Sequence, residues 1–119
     1  MSEKKQRAHI FYLEDMLDAM HRISEYLEGY VYDDFINDQK TVDAVVRNFE
    51  IIGEAAKNVP EDIRRRQPDV PWAEMYVMRN IVSHQYFGID YGIIWDVAVN
   101  HLPENRRQVQ RLLDELIDR

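Results

Sequence analysis

Residues 41–56 read TVDAVVRNFEIIGEAA, and Val42, Val45, Val46, Phe49, Ile52 and Ala56 recur at intervals of three or four positions. That period belongs to an α-helix that buries one face, not to a strand, which alternates. Asp38 is placed to cap this helix at its start, and Asn58 and Pro60 mark its end. Working outward, Ile10, Leu13, Leu17, Met20, Ser24 and Leu27 predict a long first helix over about 8–28, stopped at Gly29. GYVYDDFINDQ between the two reads as a turn. After the second helix, EDIRRRQ predicts a short helical turn, and the prolines of PDVP enforce an extended connection. Pro71, at a first helical position, opens a helix through Trp72, Met75, Met78, Ile81 and Val82 toward His84, broken at Gly88 and Asp90. YGIIWDVAVNHL supplies a fourth segment, Pro103 a junction, and ENRRQVQRLLDELIDR a last helix burying Val109, Leu112, Leu113 and Leu116. The four glycines and four prolines are expected where helices start or stop. With no alternating strand pattern, linker or repeat, the 119 residues predict one all-α domain, an antiparallel bundle of four to five helices over 1–119.

Composition narrows the function. The absence of cysteine excludes a disulfide framework and a thiolate metal site. No apolar run of signal-peptide or membrane-span length is present, which points to a soluble, cytoplasmic protein with no membrane partner. A net charge of −7 argues against a simple nucleic-acid coat. Positive charge is nevertheless clustered, with Arg64, Arg65 and Arg66 in one run, Arg106 and Arg107 in a pair, and Arg79 apart. Brought together by folding, these are candidate RNA-binding residues.

Sites familiar from helical bundles are weakly supported. Asp18 and His21 have i, i+3 spacing, but a carboxylate-bridged metal centre needs a second such pair, and none is present, so no metal site is expected. His9, His21 and His101 read better as surface or interface histidines. Phosphate-binding glycine loops and nucleophile-elbow motifs are missing, so no nucleotide cofactor is expected. MRNIVSHQYFGID at 78–90 stands out instead. On a helix Asn80 and His84 share a face and can hydrogen-bond, orienting the imidazole. Arg79 lies about 140° around from His84 and about 7.5 Å along the axis, so one straight helix aims both at one small target poorly. Tyr86 falls at the helix end with its hydroxyl exposed. On these residues alone, a capped core helix and a catalytic helix both remain open.

RNIVSHQY resembles the R-x4-H-x-Y signature of HEPN-domain ribonuclease toxins, in the HepT-like branch whose partner is a minimal nucleotidyltransferase antitoxin. AVVRNFEIIGEAAKNVP and VPWAEMYVMRNIVSHQYFGIDYGIIWDV are similar to that branch in order and spacing, and cover most of residues 38–102. The resemblance implies a HEPN-type helical bundle that forms a homodimer and cuts RNA without a metal. It places Arg79, Asn80 and His84 in catalysis and makes Tyr86 the acceptor of AMP from the antitoxin, which silences the toxin. The chemistry fits these residue types. Imidazole titrates near neutrality and serves as acid or base, while guanidinium stabilises charge on a pentacoordinate phosphate. A two-fold dimer would supply the second histidine that transesterification uses. The other class of function compatible with the chain is a catalytically silent helical module that docks a nucleotidyltransferase. Glu54, among apolar neighbours in IIGEAA, reads as a buried carboxylate that requires a partner such as an arginine.

Overall fold

The computed structural model describes the backbone of residues 3–83 and 90–118, and the side chains of 9–79 and 90–118. These residues form an all-α bundle. The helices are α1 (Glu3–Tyr26), α2 (Tyr32–Ile36), α3 (Gln39–Asn58), α4 (Glu61–Arg64), α5 (Trp72–Ser83), α6 (Tyr91–Asp96) and α7 (Leu102–Ile117), with one π turn at Val97–His101 between the last two.

α1 lies at the centre, packed against α3 on one side and α7 on the other, and α5 packs on the outer side of α3. This double contact explains a difference from the expected α1 stripe. The buried positions are His9, Leu13, Met16, Ala19, Met20, Ile23 and Leu27, while Ser24 is exposed and Leu17 half-buried. The 9-13-16-20-23-27 spacing is itself helical, so His9, expected at the surface or an interface, belongs to the buried stripe and is only 5% exposed. α3 buries the predicted Val42, Val45, Val46, Phe49, Ile52 and Ala56. α7 contributes Val109, Leu112 and Leu113. Each such side chain removed from water contributes roughly 1.5–3 kcal/mol. A polar tie crosses α1 and α3, where Arg22 Nε donates to Asn48 Oδ1 at 3.2 Å and Asn48 Nδ2 donates to the Ala44 carbonyl at 2.9 Å.

Local chemistry sets the boundaries. Asp38 caps α3 through the Thr41 amide, as expected. The GYVYDDFINDQ segment is not wholly a turn, because Asp34 closes a cap on the Val31 amide at 3.0 Å and a short helix buries Phe35 completely. Phe35 packs against Tyr91 and Trp95, which seats α2 on α6. Pro71 is one position earlier than predicted, outside α5, where its carbonyl accepts from the Met75 amide at 3.0 Å. Trp72 Nε1 donates to the Gln67 carbonyl at 3.1 Å and fixes the entry to α5.

Pro103 does not separate two helices. Asp96, Val97 and Leu102 all keep right-handed helical dihedrals, and the Leu102 amide donates to the Val97 carbonyl five residues back. A proline inside a regular helix lacks its amide and crowds the carbonyl four residues earlier. The wider π turn accommodates it without ending the helix.

Candidate functional site

The site is built at the crossing of α3 and α5, on Gly53. A β-carbon there would overlap Arg79 Cβ and lie 2.9 Å from the Met75 carbonyl oxygen. Glycine therefore lets α5 approach α3 closely enough for the stem of Arg79 to rest on the α3 backbone. This glycine lies inside a helix, not at an end as its scarcity suggested. Its signal in the sequence was an isolated glycine within a strong helical period, a pattern that marks close backbone approach.

Glu54, the next residue, accepts from Arg79 Nε at 3.0 Å. The expected arginine partner is thus present, but the carboxylate is not buried: its side chain is 52% exposed and that of Arg79 33%. An ion pair this open adds little stability, and its consequence is geometric, since it helps to orient the guanidinium. Arg79 borders a groove of about 410 Å³ between α1 and α3, with Tyr12, Asp15, Arg47, Glu50 and Glu54 among its walls. Three carboxylates face two guanidiniums there, which leaves the groove wall with one net negative charge.

α5 is helical through Ser83, which gives Arg79 and Asn80 the helical backbone expected of them. The Asn80 side chain, His84 and Tyr86 lie outside the described residues. The other face of α5 borders an apolar groove of about 470 Å³, walled by Phe49, Ile52, Met75, Met78, Val97 and Leu102. Val77, on the same groove, is 51% exposed.

The run Arg64–Arg66 is not gathered around Arg79. Arg65 pairs with Glu61 at 2.9 Å within α4, and Arg66 reaches Glu115 of α7 at 3.6 Å. Arg64 Nε is enclosed without a hydrogen-bond acceptor among the described residues. Arg106 donates across to His21 Nδ1 at 3.0 Å, and His21 Nε2 meets Glu25 at 3.3 Å. These contacts fix His21 between two helices as an acceptor for arginine. His101 pairs with Asp96 at 3.2 Å on the π turn. The Asp96 carboxyl is held below its ordinary range first by the Asn100 amide and then by His101. Among the described residues, no three His, Asp or Glu side chains converge on one point, and no helix is long and apolar enough to cross a membrane.

Comparison with known proteins adds a family. A family model described as ribonuclease HepT-like matches residues 16–112, a span that includes Gly53, Glu54, Arg79, His84 and Tyr86. The chain is 40% identical over 107 residues to a "Probable ribonuclease HepT" of Thermococcus cleftensis, covering 90% of this chain and 97% of the relative. It is 39% identical over 116 residues to a "Putative RNase" of Methanocaldococcus jannaschii, covering 98% and 93%. A "Putative RNase" of Caldanaerobacter subterraneus subsp. tengcongensis is 39% identical over 104 residues, covering 87% and 93%. No solved structure matches the chain significantly.

Proposed function

This chain belongs to the ribonuclease HepT-like family, and from that premise we propose that it is a metal-independent RNA endonuclease, the toxin of a toxin–antitoxin pair. The observation that carries the reading is Arg79, the motif arginine, seated on Gly53 and aimed by Glu54 at a groove edge. A guanidinium oriented before substrate arrives stabilises charge developing on a phosphate without reorganising.

In the proposed reaction the ribose 2′-hydroxyl attacks the adjacent phosphorus and the bond from phosphorus to the 5′-oxygen breaks. One His84 takes the 2′-hydroxyl proton, and a second delivers a proton to the departing 5′-oxygen. Arg79 donates to the non-bridging oxygens in the transition state, and Asn80 orients the imidazole. The products are a 2′,3′-cyclic phosphate and a 5′-hydroxyl. Two copies of the chain form the cleft, and the apolar groove and exposed Val77 beside the motif helix support a second copy seated there.

Regulation acts at Tyr86. A minimal nucleotidyltransferase partner transfers AMP from ATP to its hydroxyl and releases pyrophosphate. The added bulk and negative charge next to a phosphate-binding cleft exclude RNA. Purified protein incubated with RNA in excess chelator tests the enzymatic reading. Cleavage leaving cyclic-phosphate and 5′-hydroxyl ends, lost in His84→Ala, is expected. Equal cleavage by His84→Ala, or activity abolished by the chelator, overturns the mechanism.

A further inference from the structure

A groove of about 680 Å³ runs between α1 and α7, on the flank of α1 opposite the Arg79 groove. Arg106, Arg107 and Arg111 line it from α7, over a floor that includes Met20, Ala98 and Leu102. We propose that this groove is an exosite for the phosphate backbone of a single RNA strand. The proposal rests on the ribonuclease reading above for its ligand, but its residues are separate from the Arg79 site.

The argument starts from charge. In a chain of net charge −7, Arg65, Arg66 and Arg79 are each matched to a carboxylate. Among the described residues, no carboxylate forms an ion pair with Arg106 or Arg111. The direct partner of Arg106 is a His21 ring nitrogen, and Glu25 lies on the far side of that ring, so no carboxylate touches the guanidinium itself. Arg107 is paired with Glu104 at 2.6 Å, but both side chains are more than half exposed, and such a pair exchanges readily for a phosphate. Asp114, the acidic residue on the same wall, is engaged by Gln110 at 2.9 Å.

Spacing and floor agree with an extended strand. Arg107 and Arg111 lie one helical turn apart, with β-carbons about 5–6 Å apart, and so present donors in a row along α7. Arg106 is tied to α1, across the groove, through His21. Exposed Pro103, on the same groove, offers an apolar contact to sugars and bases while the arginines hold the phosphates. The exposed ridge of α1 carries Glu14, Asp15 and Asp18, which oppose a strand crossing directly to the Arg79 groove. The α7 groove therefore holds RNA remote from the scissile bond and adds affinity without taking part in chemistry.

The test uses the full chain and a labelled single-stranded oligoribonucleotide fully 2′-O-methylated, which has no nucleophile and cannot be cleaved by the proposed route. Binding is followed by anisotropy as salt is varied. Arg106→Gln/Arg111→Gln should bind about tenfold more weakly, and its log K against log salt should be shallower by about 1.4, some 0.7 per lost phosphate contact. Arg106→Lys/Arg111→Lys should keep most of the slope. Unchanged affinity and slope in the glutamine variant, or no binding by the native chain, overturns the exosite. Loss of toxicity with unchanged oligonucleotide binding assigns the groove to a protein partner and equally overturns it. Cleavage of the unmethylated RNA is scored separately. Binding without cleavage defeats only the ribonuclease reading, and cleavage with an unaffected glutamine variant defeats only the exosite.

Discussion

Gly53 and Arg79 share the α3–α5 crossing so closely that residue 53 has no room for a β-carbon, which would also sit 2.9 Å from the Met75 carbonyl. In a free helix, Gly→Ala stabilises by about 1 kcal/mol. Here the added methyl meets backbone and the root of a side chain, neither of which can rotate away. Gly53→Ala should therefore destabilise the protein by about 1–3 kcal/mol despite the gain in propensity. Urea unfolding with an unchanged slope and a lower midpoint is the expected result, and a raised midpoint would contradict the tight crossing.

Glu54→Gln separates positioning from stability. The Glu54–Arg79 pair is open to solvent, so its loss should leave the unfolding midpoint within about 0.5 kcal/mol of native. The guanidinium, however, loses its Glu54 contact, one of the interactions that orient it. RNA cleavage should fall about tenfold in kcat with little change in KM, against about a hundredfold or more for Arg79→Ala. Full activity in Glu54→Gln would make the carboxylate a bystander.

The bundle was legible because three-four spacing of apolar residues is a property of single helices: α3 buries every position that spacing selects, α5 buries Trp72, Met75 and Met78 among its described side chains, and α7 buries Val109, Leu112 and Leu113 with Leu116 half-buried. What depends on pairs of helices was less so. Ser24 fits the α1 period, yet Met16 and Ile23 are buried because α1 is covered from two sides. Gly53 has no side chain to enter a pattern, and its purpose exists only once α5 lies across it. Pro103 looked like a break because the π turn that absorbs it has no signature in residue types. Arg79 and Glu54 were each visible as candidates, and their juxtaposition rested on the crossing.

The Asp38 cap gives a pH dependence. Its carboxyl is held below the usual range first by the Tyr30 hydroxyl at 2.5 Å, then by the Thr41 hydroxyl and amide. A depressed carboxyl pKa contributes stability that is fully present above the unfolded-state value and lost as pH falls through the folded-state value. Asp38→Ala should melt lower than native at neutral pH, with the gap closing in acid. Tyr30→Phe should shrink the stability lost in acid and complete that loss at higher pH, because the folded-state value moves up toward the unfolded one. Parallel melting curves at all pH values would exclude the cap as the source.

Tyr86 should account for control by the partner. Incubation with the nucleotidyltransferase and ATP should add one or more AMP masses to a peptide containing Tyr86 and suppress RNA cleavage in proportion. Tyr86→Phe should escape both effects. The same mass gain in Tyr86→Phe would move the modification elsewhere.

Complementation between inactive variants distinguishes a shared cleft from an autonomous one. Arg79→Ala retains His84, and His84→Ala retains Arg79, so each homodimer lacks one function at both positions. If the cleft is formed by two chains, a mixed dimer again contains one arginine and one histidine facing the same phosphate. Random reassortment makes half of the dimers mixed, and mixing after mild unfolding and refolding should restore cleavage well above the sum of the two separate proteins. The restored rate should stay below native, because acid and base must then share one imidazole or use water, at a loss of about 10²–10⁴ for a missing proton-transfer group. No recovery at any mixing ratio, with mixed dimers verified by native mass spectrometry, would rule out the composite site.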